Sequence, residues 1–234
     1  SLEHRICREM KDMSWEVFDK LHHRYDEWFD ESPGKEIFQL EVQCLKEAFR
    51  GASEPWLEIG VGTGRFAEKL RVDFGVDPSE EMLKKAFERG IKVVKAVAEH
   101  LSFPPNSFGG VAIIVTFCFL DDPEKALKEC FYVLRKGGIL VLGIVPRESR
   151  WGRFYLKKKK RGHPFYSVAH FYTIQEVINL SEKIGFELEA LFSTLFEGPE
   201  ECAQIRPYPP KPGWMSKAGF ICIRMRKPYE APPN

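Results

Sequence analysis

Apolar residues along this chain change period repeatedly, from every third or fourth position to short continuous runs and back. In residues 14–29, "SWEVFDKLHHRYDEWF", Trp15, Phe18, Leu21, Tyr25, Trp28 and Phe29 recur at helical spacing, with Ser14 placed to cap the first turn. The "SPG" at 32–34 breaks that pattern, and a second helix is predicted over 35–50 with Ile37, Leu40, Cys44, Leu45 and Phe49 on one side. Short apolar runs then predict strands at 55–59, 72–76, 91–96, 110–116, 138–145, 186–196 and 218–226. Helical patterns near 64–70, 79–89, 123–134 and 173–184 separate most of them. Gly90, Gly137-Gly138 and Gly185 fall where helices should stop, a place that favours the left-handed backbone glycine adopts freely. The alternation predicts an α/β fold, a mainly parallel sheet with helices on both faces.

Composition narrows the class without naming a chemistry. A chain of 234 residues, 44% hydrophobic and 29% charged, suits one domain with elaborations and a sizeable core. Within residues 1–234 we expect a helical cap over 1–50, a ligand-binding core over 51–146, an insertion over 147–172 and the rest of the sheet over 173–234. The formal net charge is +1, so the overall field gives no reason to expect nucleic acid or an anionic membrane. No apolar run approaches the ~20 residues of a membrane-spanning helix. The opening "SLEHRICREMKDMSW" is too polar for a signal peptide. Cysteines at 7, 44, 118, 130, 202 and 222 form no Cys-x-x-Cys pair, which points to reduced thiols in a cytoplasm and to no metal site. Scarce Gln and Asn beside abundant Lys, Arg and Glu lean towards a thermophilic source.

The chemistry is concentrated in "WLEIGVGTGRF", residues 56–66. A strand ending at Ile59 meets a glycine turn and then a helix, the first unit of a nucleotide-type fold. Gly60 and Gly62 remove the Cβ atoms that would obstruct a ligand at the strand ends. A dinucleotide fingerprint would need glycine at 65, where Arg65 stands, and usually an apolar residue in place of Glu58. A carboxylate so near the sheet is costly unless it accepts hydrogen bonds or meets a cation. The turn's own N–H groups could supply the first and a ligand ammonium the second. A second acid, Asp77 in "VDFGVDPSEEML", follows another strand; it suits a ribose diol, or a plain helix cap before Pro78 and Ser79.

Four stretches in order, "LEIGVGTG", "GVDPSEEML", "AEHLSFPPNSF" and "DDPEKALKECFYVLRKGG", resemble the class I S-adenosylmethionine-dependent methyltransferases. The subgroup they most resemble contains the ubiquinone- and menaquinone-biosynthesis enzymes, and the resemblance runs over about residues 53–190. It implies a Rossmann-like seven-stranded sheet with the last strand antiparallel, and S-adenosylmethionine as cofactor. It also implies that Glu58, Gly60, Val61 and Gly62 line the methionine moiety and that Asp77 holds the ribose. By the same resemblance Pro78 and Met82 flank ribose or adenine, Ala98 and Glu99 border the adenine edge, and Thr116 and Phe117 sit beneath the cofactor near the methyl group. Two positions depart from the family pattern: Val97 where an Asp often precedes the Ala-Glu pair, and Gly109 where an acid commonly follows the Phe.

A sulfonium is already an activated methyl donor, so the protein's part is to align a nucleophile and exclude water. A general base is required only for a protonated nucleophile, and the sequence names none. Acceptor selection is expected in the parts least like the family. These are the aromatic N-terminal helix and residues 147–172, with Tyr25, Trp28, Trp151, Tyr155, Phe165, His170 and Tyr172 as pocket candidates that could equally seal the core. His163 and His170 are attractive as bases, although a lone histidine is more often a surface or packed residue. The run Lys157 to Arg161 reads as a solvated charge run or as a steering patch for an anionic acceptor. A small-molecule methyltransferase is therefore expected. An RNA or protein methyltransferase docking through that run is the alternative, although one basic pentapeptide falls short of a nucleic-acid footprint. A non-catalytic partner subunit on the same fold is a further one.

Overall fold

Residues Phe108–Ile114 are buried at every position, which is what a strand covered on both faces requires. The computed structural model describes residues 26, 27, 29–161 and 169–230. Tyr25, Trp28, Phe165 and His163, with most of the helix predicted over 14–29, lie outside the described residues. In chain order the elements are α1 (Gly34–Ala48), β1 (Trp56–Ile59), α2 (Arg65–Leu70), β2 (Phe74–Asp77), α3 (Glu80–Glu88), β3 (Lys92–Lys95) and β4 (Phe108–Ile114). There follow α4 (Pro123–Val133), β5 (Leu134–Ile144), α5 (Arg150–Lys160), α6 (Ile174–Ile184), β6 (Glu187–Thr194), β7 (Lys211–Pro212) and β8 (Phe220–Arg226).

The strands form one sheet in the order β3-β2-β1-β4-β5-β8-β6-β7. Strands β1 to β5 pair in parallel, and β8 is antiparallel to both β5 and β6. The expected seven strands are present with the last one antiparallel; an eighth, the two-residue β7, pairs with the outer edge of β6. Its sequence, Lys211–Pro212, is too short and too proline-bound to show a strand period. Alternation along β4 divides the interior. Ala112 and Ile114 join Ile37, Leu40, Phe66, Leu83 and Cys222 on the side of α1, α2 and α3, whereas Val111 and Ile113 join Leu57, Ile59, Leu127 and Val177 on the side of α4 and α6. Among the described residues no helix is long and apolar enough to cross a membrane.

Local chemistry sets the helix boundaries. Ser79, Asp122 and Thr173 accept hydrogen bonds from the backbone N–H three residues on, at 3.2, 3.0 and 3.1 Å. Gly90 and Gly185 take φ of 88° and 122° at helix ends, as expected. Gly137-Gly138 does not end a helix: α4 stops at Val133 and β5 begins at Leu134, paired with Phe108 across a bulge. Gly137 has φ 76° and lies against the Tyr229 ring, so glycine there allows a strand to bend under an aromatic side chain. Within 147–172, where no helix was expected, Arg150–Lys160 is helical. Ser149 caps it by accepting from the Gly152 N–H at 2.9 Å, and Trp151, Phe154 and Tyr155 supply its apolar side.

Candidate active site

The carboxyl ends of β1, β2 and β4 carry the residues singled out by sequence. Glu58 pairs across the sheet with Gly75 and Ala112, on the face that α2 covers. It is 1% exposed. Among the described residues Oε1 of Glu58 has no hydrogen-bond partner, while the Ala67 backbone N–H donates to the carboxyl group. Burial, reinforced by the negative charge of Asp77, pushes the Glu58 acid well above the ordinary carboxylate range; the Ala67 hydrogen bond acts in the opposite direction. A buried acid with one orphaned oxygen has room for one more donor, and a cationic donor would offset its desolvation best.

The glycine turn is held from below and open above. The N–H groups of Gly60 and Val61 both donate to the Val76 carbonyl, at 2.9 and 3.0 Å, and Val61 fills the space that a side chain at Gly75 would take. Gly60 has φ 73°, and a Cβ there would come within 2.5 Å of the Thr116 side chain, so this glycine lets the ends of β1 and β4 meet. Gly62 has φ 55°, and a Cβ there would meet nothing within 4 Å. That open space lies directly over the turn. Asp77 ties the turn to β2, accepting from the Gly62 N–H at 2.9 Å through one oxygen and from the Ser79 N–H at 3.0 Å through the other. Both expected roles of Asp77 therefore start from one geometry, a carboxylate at the end of β2 that spans the turn and the start of α3. Pro78 is half-buried beside it, and Met82, on the first turn of α3, is buried.

At β4 the strand predicted to reach 116 ends at Ile114, because Val115 turns into the left-handed region at φ 48°. A β-branched residue there stores strain, of order 1–3 kcal/mol. Its N–H is held by the Gly143 carbonyl at 2.8 Å. Thr116 follows, half-buried, and Phe117 turns into the core at 1% exposure with its ring 5.1 Å from that of Tyr172. Tyr172 in turn lies 4.3 Å from the exposed His170 ring, and the His170 N–H donates to the Cys118 carbonyl at 2.7 Å. Phe117, His170 and Tyr172 thus converge beside Thr116. Burial, then the neighbouring Cys118 and Glu176, raise the Tyr172 phenol above its ordinary value and keep it neutral. Trp151 is buried, and its indole N–H donates to the Glu197 carbonyl at 2.8 Å, so it anchors α5 rather than lining open space. Tyr155 stacks on Phe171. On the far side, Ala98 is buried, Glu99 is half-buried and Val97 is 42% exposed.

Sequence reading missed the group that fastens the turn to the N-terminal segment. Asp26 accepts from Thr63 Oγ1 at 2.8 Å, from Arg65 Nε at 2.6 Å and from Arg89 Nη2 at 3.3 Å. Arg65 also grips Asp30 through both terminal nitrogens, at 2.7 and 2.8 Å, and Arg89 Nε donates to the Thr63 carbonyl. Burial alone would raise the Asp26 acid; the hydrogen bonds from Arg65 and Thr63, with the charges of Arg65 and Arg89, hold it below its ordinary value. Arg65, which argues against a dinucleotide fingerprint, therefore has a positive use as the clamp on the helix start. Its only sequence signal was a charged residue where a third glycine is common.

Comparison with known proteins agrees with this geometry. Residues 57–142 match the family described as methyltransferase domain. An uncharacterized protein of Methanocaldococcus jannaschii is 37% identical over 212 residues, spanning 90% of this chain and 98% of that protein. An uncharacterized methyltransferase of Bacillus thuringiensis is 30% identical over 190 residues, 74% of this chain and 89% of that protein. The crystal structure of a SAM-dependent methyltransferase from Thermotoga maritima, described as a "possible histamine N-methyltransferase", superposes with a TM-score of 0.82 at 40% identity. It covers 91% of this chain and 99% of that one. These likenesses do not single out the ubiquinone and menaquinone subgroup. With the orphaned Glu58 oxygen, the open space over Gly62 and the acid at the end of β2, they establish that the chain belongs to the class I S-adenosylmethionine-dependent methyltransferases.

Proposed function

We propose that this methyltransferase acts on a small-molecule acceptor and catalyses mainly by alignment. The observation that carries the small-molecule reading is the direction of the basic run on α5. Lys157, Lys160 and Arg161 are exposed, Lys159 is used internally on the Ala169 carbonyl at 2.8 Å, and Trp151 and Tyr155 of the same helix turn inwards. Adjacent cations left in water suit solvation better than RNA docking. The Thermotoga relative's description, a possible histamine N-methyltransferase, also supports a small acceptor.

In this reading Glu58 receives the cofactor's ammonium, while Gly60, Val61 and Gly62 border its methionine part. Asp77, at the end of β2 beside the turn, holds the ribose hydroxyls, and Pro78 and Met82 flank the ribose and adenine. Ala98 and Glu99 border adenine, with the exposed Val97 offering an apolar surface where relatives often have an acid. The bound cofactor supplies an activated methyl group. Thr116 stands closest to the acceptor side, and Phe117, buried behind Tyr172, fixes that ring rather than touching ligand. Orienting the nucleophile and excluding water is then the work of Thr116, Tyr172, Tyr155 and His170. We take residues 1–234 as a single methyltransferase domain in which 147–172 covers the acceptor. Cys44, Cys118, Cys130 and Cys222, which form no disulfide, suit a reducing cytoplasm.

The test is a radiolabelled methyl-transfer screen over small amines, phenols, quinone precursors and RNA. Label should enter a small-molecule fraction. Transfer to RNA alone, lost when Lys157, Lys160 and Arg161 are replaced by serine, would overturn the small-molecule reading.

A further inference from the structure

The glycine turn cannot hold its own shape. Gly60, Gly62 and Gly64 take left-handed φ of 73°, 55° and 85°, and glycine enters that region and leaves it freely, so contacts from outside must select it. Val61 and Thr63 are the residues between them that carry side chains. Val61 fills the space over Gly75. Thr63, 2% exposed, is held on two sides: its Oγ1 donates to Asp26 Oδ1 at 2.8 Å, and its carbonyl accepts from Arg89 Nε at 3.1 Å. Arg89 Nη2 reaches the other oxygen of Asp26 at 3.3 Å, which closes a ring of contacts around Thr63.

Asp26 belongs to the segment ahead of α1, and that segment is seated by contacts of its own. The Phe29 ring lies edge-on to Phe38 of α1 and Phe66 of α2, at 5.1 and 6.1 Å, with the Arg65 guanidinium 5.5 Å from its centre. The N–H groups of Phe29 and Asp30 donate to the carbonyls of Asp26 and Glu27, at 3.3 and 3.0 Å. Arg65 and Arg89 bring two positive charges together, and both reach the carboxylate of Asp26. Asp30 takes Arg65, and Glu68 takes Arg89. The Asp30 side chain is 64% exposed and makes no hydrogen bond to the turn among the described residues. Two acids of one segment thus grip the same arginine, and of the two only Asp26 also holds the turn.

We propose that Asp26 is a positioning residue for the cofactor: through Thr63 it holds the turn in the shape that borders the methionine part, and the bound cofactor in return seats the segment that carries Asp26. This rests on the reading that Gly60, Val61 and Gly62 border that part. The turn is pinned from the strand side by Asp77, which accepts from the Gly62 N–H at 2.9 Å, and from the N-terminal side by Asp26 at the next residue. A turn fixed at both Gly62 and Thr63 loses little freedom when the ligand arrives. One loosened at Thr63 must be ordered as the ligand binds, which weakens binding. Coupling of this kind is reciprocal: the factor that Asp26 adds to cofactor affinity is the factor that the cofactor adds to the docking of Asp26.

The test is calorimetric titration of S-adenosylhomocysteine into wild type, Asp26→Asn, Asp30→Asn, Thr63→Val and the Asp26→Asn/Thr63→Val double variant, each checked for folding by urea melts. Asp26→Asn should bind about tenfold more weakly, and Thr63→Val should show most of that loss. Asp30→Asn loosens the same arginine without touching Thr63 and should bind as wild type does. The double variant should lose no more than Asp26→Asn alone, because both changes break one chain of contacts. Hydrogen exchange adds a readout that needs no substitution: S-adenosylhomocysteine should slow exchange of the Phe29 and Asp30 amides in wild type by about tenfold. Undiminished affinity in Asp26→Asn, an equal loss in Asp30→Asn, losses that add in the double variant, or wild-type amides indifferent to the ligand would each overturn the proposal. Where Asp26→Asn does not fold, undiminished affinity in Thr63→Val overturns it equally. A wild-type protein that binds no S-adenosylhomocysteine would instead remove the cofactor reading beneath it.

Discussion

Replacing Glu58 with glutamine changes one oxygen for one NH2 group and should separate cofactor binding from folding. Burial, then the Asp77 charge, raise the acid well above its ordinary 4.5, and among the described residues one of its oxygens has no partner. An arriving ammonium reverses the balance: an opposite charge within a few ångströms favours the ionised carboxyl, so binding should expel its proton. Titrating S-adenosylhomocysteine at pH 7 in buffers of different ionisation enthalpy should show up to about one proton released per site. Glu58→Gln should release none from this group and bind about ten- to a hundredfold more weakly, the worth of one charge-assisted hydrogen bond of 1.5–3 kcal/mol. The stability of the free protein should move the other way. A folded-state pKa above the unfolded value means the native protein holds the extra proton, so the wild type loses stability as pH rises above the ordinary 4.5. The glutamine variant should lack that decline. Equal proton release in both proteins, with undiminished affinity in the variant, would refute the assignment of Glu58 to the ammonium.

Asp77→Ala should cost cofactor affinity about ten- to a hundredfold, because it removes the ribose acceptor and also frees the Gly62 N–H held at 2.9 Å. Isothermal titration checks it, and unchanged affinity would reduce Asp77 to a helix cap. Arg65→Ala should leave Asp26, 15% exposed, without its strongest partner and lower stability by about 1.5–3 kcal/mol in urea melts, with weaker cofactor binding because the turn loses its clamp. A variant as stable as wild type would show that the clamp is a surface ion pair of little worth. Replacing Lys157, Lys160 and Arg161 with serine should leave the affinity for S-adenosylhomocysteine unchanged; a tenfold loss would place the basic run in the cofactor site.

Most of the geometry at the carboxyl ends of β1 and β2 was legible because its signals are local. Glu58, the glycines and Asp77 lie within one strand-turn-helix and the strand after it, and each is constrained by residues close in sequence. The rest depended on contacts that spacing does not encode. Arg65 gains its meaning from Asp26 and Asp30, more than thirty positions away, and from Arg89. β5 begins before Gly137 because Phe108 pairs with Leu134 and Tyr229 folds over the glycine, both long-range events. The helix Arg150–Lys160 was hidden by its own lysines, which mask the spacing of Trp151, Phe154 and Tyr155. Glu41 did leave a trace, a charge four residues from Ile37 and four from Leu45 on the apolar side of a helix. Only the fold shows that it is buried there, with no ion pair to it among the described residues.

Thermal unfolding with added ligand tests the central claim most directly. S-adenosylmethionine and S-adenosylhomocysteine at 100 times their dissociation constants should each stabilise the protein by about 2.7 kcal/mol, and NAD should leave the transition where it is. Stabilisation by NAD, with indifference to S-adenosylhomocysteine, would contradict the account of Glu58, the glycine turn and Asp77 together.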